Sequence, residues 1–132
     1  MDAGKRVHKV LFIDDNKRVM ETVKCLLSGG AYQFVSASNG FDGLFALVEE
    51  KPEIIFVGAR VAKLNGYQFC ILVNSKAEYQ KIPVIIILDK EDCFEQAKAL
   101  AAGAKAILAK PFGSSDFFGL IDHVFSARPQ AV

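Results

Sequence analysis

Short apolar runs alternate along this chain with longer stretches in which apolar residues recur every three or four positions. Val7 to Ile13, Gln33 to Ala37, Ile54 to Val57, Val84 to Leu88 and Ala106 to Leu108 read as strands. Lys17 to Ser28, Phe41 to Glu50, Gly66 to Ser75, Asp92 to Ala102 and Ser114 to Ser126 read as helices. The first helix carries Val19, Met20, Val23, Leu26 and Leu27 at helical spacing, and Gly29-Gly30 stops it. Asn39-Gly40 marks a turn, Pro52 ends the second helix, and Gly103 takes a stop position after the fourth. Ser114 or Ser115 is the expected cap of the fifth.

Strand and helix in strict alternation argue for a parallel sheet covered by helices on both faces. The first, third and fourth strands are nearly continuous apolar runs, as expected where both faces are covered. Right-handed crossovers restrict the topology. The expected fold is α/β, a doubly wound five-stranded parallel sheet of order 2-1-3-4-5 with five helices. Such sheets place their site at the carboxyl ends of the strands, near the switch point. That edge collects Asp14, Asp15, Gly58, Leu88, Asp89 and Lys110.

Composition narrows the classes. A chain of 132 residues fits one domain, with a core over about 7–126 and a tail or linker start over 127–132, at Arg128-Pro129-Gln130. It is 52% hydrophobic and 23% charged, so it folds rather than stays disordered. Net charge is +1, which gives no case for nucleic acid or an anionic membrane. Lys5, Arg6 and Lys9 read as a solvated N-terminus. The longest apolar run, Ile82 to Leu88, contains Pro83 and falls far short of the roughly 18 residues of a membrane helix. Val10 to Ile13 is too short for a signal-peptide core. Cys25, Cys70 and Cys93 form no CxxC, and each lies in an apolar-periodic segment. They read as reduced, mostly buried thiols of a cytoplasmic protein.

The strand ends carry no GxGxxG, no GxxxxGK[ST] and no nucleophile arrangement of serine, cysteine or histidine. His8 and His123 lie away from that edge and read as surface residues. What remains is Phe12-Ile13-Asp14-Asp15-Asn16 and Ala109-Lys110-Pro111-Phe112. Paired acids after strand one and Lys-Pro after strand five resemble the receiver domains of two-component signalling. Asn65-Gly66-Tyr67, Ile82-Pro83-Val84 and Gly103-Ala104 fall at matching spacings. Residues 37–43, Ala-Ser-Asn-Gly-Phe-Asp-Gly, and residues 94–98, Phe-Glu-Gln-Ala-Lys, are similar to stand-alone receivers of type IV pilus twitching motility systems.

The resemblance implies a phosphate switch. In receivers an acidic pair helps to hold Mg2+, and an aspartate ending strand three takes the phosphoryl group. A threonine or serine ending strand four bonds it, a lysine after strand five neutralises it, and an aromatic in strand five reports the state. Asp14, Asp15 and Lys110 match this pattern. The acceptor position is Gly58, the hydroxyl position is Leu88 and the aromatic position is Ile107. Three losses along one mechanism imply a receiver that does not switch by phosphorylation. Arg60, if it turns inward, joins Lys110 to balance Asp14 and Asp15, leaving a pocket of zero net charge with no metal and no cofactor. The other reading turns Arg60 to solvent. Asp89 as a displaced acceptor fits less well than Asp89 as a solvated loop residue.

Function would then lie in contacts with proteins. Receivers usually dock through helix four, strand five and helix five. Phe94, Ala97, Leu100 and Ala101 share one stripe of helix four, read as core packing. Helix three is apolar all round, so it is either deeply buried or offers a patch that includes Phe69 and Leu72. On helix five, Phe117, Leu120, Ile121 and Val124 should face the sheet. Phe118 and Phe125 widen that arc to roughly 160°. They either tuck against helix four or helix one, or form a dimer or partner face. The resulting expectation is a non-enzymatic, non-phosphorylatable module acting on a protein partner, or as a homodimer, in a signalling or motility pathway. It needs no nucleic acid and no membrane insertion. The alternatives are a phospho-receiver with a displaced acceptor and a small-ligand or nucleotide sensor around Lys110 and Arg60.

Overall fold

The unbroken apolar runs become the middle of the sheet. In a computed structural model, which describes residues 7–89 and 92–126, strands β3 (Ile54–Gly58) and β4 (Val84–Leu88) are buried at every residue. They are flanked by β1 (His8–Ile13), β2 (Tyr32–Ala37) and β5 (Ala106–Ala109). All pairings are parallel, and the order is β2-β1-β3-β4-β5. The five-stranded doubly wound fold expected from the alternation is therefore present. Lys5, Arg6 and Arg128-Pro129-Gln130 lie outside the described residues.

Helices α1 (Lys17–Leu26) and α5 (Ser114–Ser126) cover one face. Helices α2 (Gly40–Glu50), α3 (Gly66–Ser75) and α4 (Cys93–Ala101) cover the other. Alternate strand residues point to opposite faces. Phe12 and Phe56 thus stack with Phe117 under α5, while Ile13 and Val57 meet Phe69 and Val73 under α3.

Polar side chains start the helices by satisfying free backbone N–H groups. Asn16 accepts from the N–H groups of Arg18 and Val19, and Asn39 accepts from that of Asp42. Asn65 and Gln68 form a reciprocal capping box. The expected serine cap of α5 is not found. Gly113 accepts the Phe117 N–H at 3.1 Å, and Asp116 reaches back to the Gly113 N–H at 3.0 Å. Gly103 has φ +103, a left-handed stop tightly backed by Asn74. A Cβ on Gly66 would lie 2.6 Å from the Gly58 carbonyl oxygen. Glycine at 66 therefore lets the start of α3 press against the end of β3.

Several packing expectations are corrected. The stripe Phe94, Ala97, Leu100 and Ala101 faces outward, and Ala99 and Ala102 face the sheet. Small side chains fit the close approach of α4 to β4 and β5. Phe69 is wholly buried against Gly43 and the β1–β3 surface, so it offers nothing to a partner. Helix α3 divides instead: Tyr67, Phe69, Cys70 and Val73 are inside, while Ile71 and Leu72 are exposed. Of the cysteines only Cys70 is buried, and burial pushes its thiol up to about 11. Cys25 and Cys93 are exposed because their helices turn those positions outward. His8 is half-buried and sits 3.2 Å from Glu53.

Phe118 and Phe125 are half-buried. Phe118 lies 6.0 Å from the Tyr32 ring, and Phe125 lies 5.2 Å from the His8 ring. They seal the lower edge of the α1/α5 layer against β1 and β2, not against α4. Phe118→Ser combined with Phe125→Ser should therefore cost about 2–4 kcal/mol, somewhat under the loss for fully buried phenylalanines. Urea melts of the monomer measure this. An unchanged midpoint would show that the two rings do not support the fold.

Candidate functional site

Strand β1 delivers Asp14 into the protein. Its N–H bonds the Ala37 carbonyl at 3.1 Å, and its side chain is 2% exposed. Oδ1 accepts the Asn16 N–H at 2.8 Å. Oδ2 is ion-paired with Lys110 Nζ at 2.9 Å and has no hydrogen-bond partner among the described residues. Lys110 is placed by its own N–H, which bonds the Leu88 carbonyl at 2.8 Å just past β5. A buried carboxylate is tolerated only when paired, so this contact fixes the edge of the sheet. Asp15 is exposed.

Gly58 closes β3 beside Asp14. A Cβ there would sit 3.6 Å from Asp14 Oδ2 and 3.0 Å from Val61 Cγ1. Position 58 therefore aims directly at the buried acid, as an acceptor position should, but holds no side chain. Leu88, paired in register with Ala109, is 3% exposed and packs into the α2–α4 layer. It presents no hydroxyl. Ile107 is half-buried against the same layer.

Arg60 does not join the acidic pair. Its side chain is 77% exposed, and Nε is 4.0 Å from Asp89 Oδ2. Asp89 also lies 3.9 Å from Lys110 Nζ. The residues around Gly58 line a cleft of about 420 Å³, together with Asp92 and Glu95 at the start of α4. Among the described residues its rim thus carries five carboxylates against Arg60 and Lys110. The expected balance of zero is overturned. The sequence count set Asp89 aside as a solvated loop residue and did not follow the chain into the helix after β4, where Asp92 and Glu95 stand. Asp92 was legible as a helix-start residue on this same edge. A cleft with this excess repels free phosphate or nucleotide anions.

Tyr67 closes the α3–α4 side of the cleft by donating its hydroxyl to Glu95. Burial first, then this bond and the Glu95 charge, hold its phenol up to about 12. Lys98 Nζ lies 4.5 Å from the centre of the same ring. Nothing in the sequence pattern singled out this pair.

Mg2+ at such an edge asks for several oxygen ligands in strict octahedral geometry. The donor set fits it poorly. Position 58 supplies no oxygen, and the Lys110 ammonium takes the inward oxygen of Asp14. No cluster of three potential ligands is poised for a metal among the described residues.

A sequence profile of the response regulator receiver domain matches residues 10–122. The chain is 35% identical over 122 residues to Protein PilG of Pseudomonas aeruginosa, covering 92% of this chain and 90% of that one. It is 28% identical over 118 residues to Protein PilH of the same organism, covering 89% and 98%. A crystal structure of a putative response regulator from Chloroflexus aurantiacus superposes with a TM-score of 0.87 at 22% identity, covering 92% of this chain and 99% of that one.

The Asp14–Lys110 pair predicts a non-additive cycle. Lys110→Met should destabilise the protein by about 2–3 kcal/mol, because a buried carboxylate loses its counterion. In an Asp14→Asn background the same change should cost about 1 kcal/mol or less. Chemical denaturation at neutral pH reads both. Equal costs in the two backgrounds would show that the pair does not carry this edge.

Proposed function

We propose that this chain, which belongs to the response regulator receiver domain family, is a member that does not switch by phosphorylation and acts through protein–protein contacts. The observation that carries this reading is Gly58. A missing carboxylate at a position whose Cβ would lie 3.6 Å from Asp14 Oδ2 removes both the phosphoryl acceptor and an oxygen for the metal. Leu88 removes the hydroxyl donor, and Lys110 is already committed to Asp14. On this reading the ion pair occupies the cleft, and neither Gly58 nor Leu88 can take or bond a phosphoryl group.

The pathway follows from resemblance. Similarity to PilG and PilH, with the segments at residues 37–43 and 94–98, supports a place in a type IV pilus twitching motility system of the cytoplasm. No helix among the described residues is long and apolar enough to cross a membrane. In this role the protein is a scaffold or regulator rather than an enzyme, and its partner is another protein.

Incubation with acetyl phosphate and Mg2+ should leave the intact mass unchanged. A stoichiometric phosphoryl adduct on Asp14, Asp15 or Asp89 would contradict the proposal. Gly58→Asp restores an oxygen beside Asp14, with a few tenths of an ångström of movement needed at Val61. Millimolar Mg2+ should raise the Tm of Gly58→Asp and leave that of the wild type in place. An equal rise in both would show that the native cleft already binds the ion.

A further inference from the structure

The two helical layers differ in what they show to solvent. On α1 the outward positions include Lys17, Arg18, Glu21 and Lys24; on α5 they include Asp116, Asp122 and His123. On the opposite layer every helix turns large apolar side chains outward. Helix α2 exposes Phe41, Phe45 and Val48, at i, i+4 and i+7 along one stripe. Helix α3 exposes Ile71 and Leu72, and α4 exposes Phe94 and Leu100. Seven of the eight large hydrophobic residues exposed among the described residues therefore lie on this one layer. Phe94 at 75% and Phe45 at 72% are the most exposed of them.

The strand order places α3 between α2 and α4. Gly43 of α2 abuts Phe69 of α3, and Tyr67 of α3 bonds Glu95 of α4. With aromatic side chains worth roughly 150–250 Å² each and the aliphatic ones less, the fractional exposures of these three phenylalanines and four aliphatic residues sum to on the order of 700 Å² of apolar surface. The largest apolar patch on a monomer is usually about 300–600 Å². One side of a standard protein interface is about 800 Å².

We propose that this layer is the face of a homodimer, in which α2, α3 and α4 of one copy pack on the same layer of a second copy. A self-complementary face can close around a two-fold axis in two ways. With the axis across the helices, α2 would meet the partner's α2. That helix exposes Asp42 and Glu49 along its length, with Lys51 at its C-cap the one exposed cation beside them, so acidic residues would outnumber basic ones at that contact. With the axis along α3, α2 of each copy meets α4 of the other. The exposed Lys98 of α4 then lies against the acidic border of α2, and the Phe41–Phe45–Val48 stripe meets Phe94 and Leu100. Ile71 and Leu72 pack on their own symmetry mates. Charge complementarity selects the second arrangement. The inference is independent of the phosphorylation reading, since neither Gly58 nor Lys110 takes part.

Sedimentation velocity on the full chain over a wide concentration range tests it. A reversible dimer is expected. Phe45→Ser with Ile71→Ser should weaken association at least 100-fold while the urea midpoint of the monomer stays in place. Lys98→Glu should weaken it about tenfold, and adding Asp42→Lys and Glu49→Lys should restore it. A monomer at the highest soluble concentration would overturn the proposal, as would a dimer untouched by Phe45→Ser with Ile71→Ser. Failure of the charge reversal to rescue Lys98→Glu would overturn the axis along α3.

Discussion

A carboxylate only 2% exposed needs a positive partner, and here that partner is Lys110 at 2.9 Å from Asp14. The rest of the edge depends on that contact. It ties the end of β1 to the end of β5 across the two intervening strand ends of β3 and β4. It also occupies the oxygen that a divalent cation would need. Beside it, Gly66 lets α3 begin against the backbone of β3, and Gly58 offers no group to react. The outcome is a cleft with the outline of a phosphate switch and a permanent internal cation. Its remaining charge is carried by exposed carboxylates on the rim, where water screens them.

On the proposed reading, functional weight lies on the surface and not in the cleft. The α1/α5 layer is sealed by aromatic contacts and shows water a polar exterior. The α2–α4 layer is sealed by Leu47, Tyr67, Phe69 and Val73 together with glycine and alanine contacts, and shows water an apolar exterior. Small residues stand on the inward side at Gly40, Gly43, Ala99 and Ala102, beside Leu47, and Phe41, Phe45, Val48, Phe94 and Leu100 are left outside. Part of the 37–43 segment is accounted for in this way: Asn39 caps α2, and Gly40 and Gly43 allow it to approach Leu64 and Ile13.

Most of the architecture was legible because β3 and β4 are unbroken apolar runs and because asparagine, glycine and proline punctuate the helices. The strand-end residues followed from topology alone, so Asp14, Gly58, Leu88 and Lys110 meet as expected. What could not be read was direction. Hydrophobic periodicity marks a stripe on α4 but does not say whether Phe94 or Ala99 faces the sheet. That depends on how close the helix sits. The distance in sequence from Gly58 leaves Arg60 free to turn inward or to solvent, and the structure turns it toward Asp89 and solvent. The Tyr67–Glu95 link joins residues 28 apart, with no local pattern to announce it.

The central claim is that the cleft cannot take up a phosphoryl group or its mimic, so the fold has no second state of that kind. The most direct measurement is a titration of the 15N-labelled protein with beryllofluoride and Mg2+, followed by amide NMR. The account predicts that the signals of Asp14, Gly58, Leu88 and Lys110 hold their positions throughout. Saturable shifts of those amides, spreading into α4 and β5, would show a working switch and contradict it.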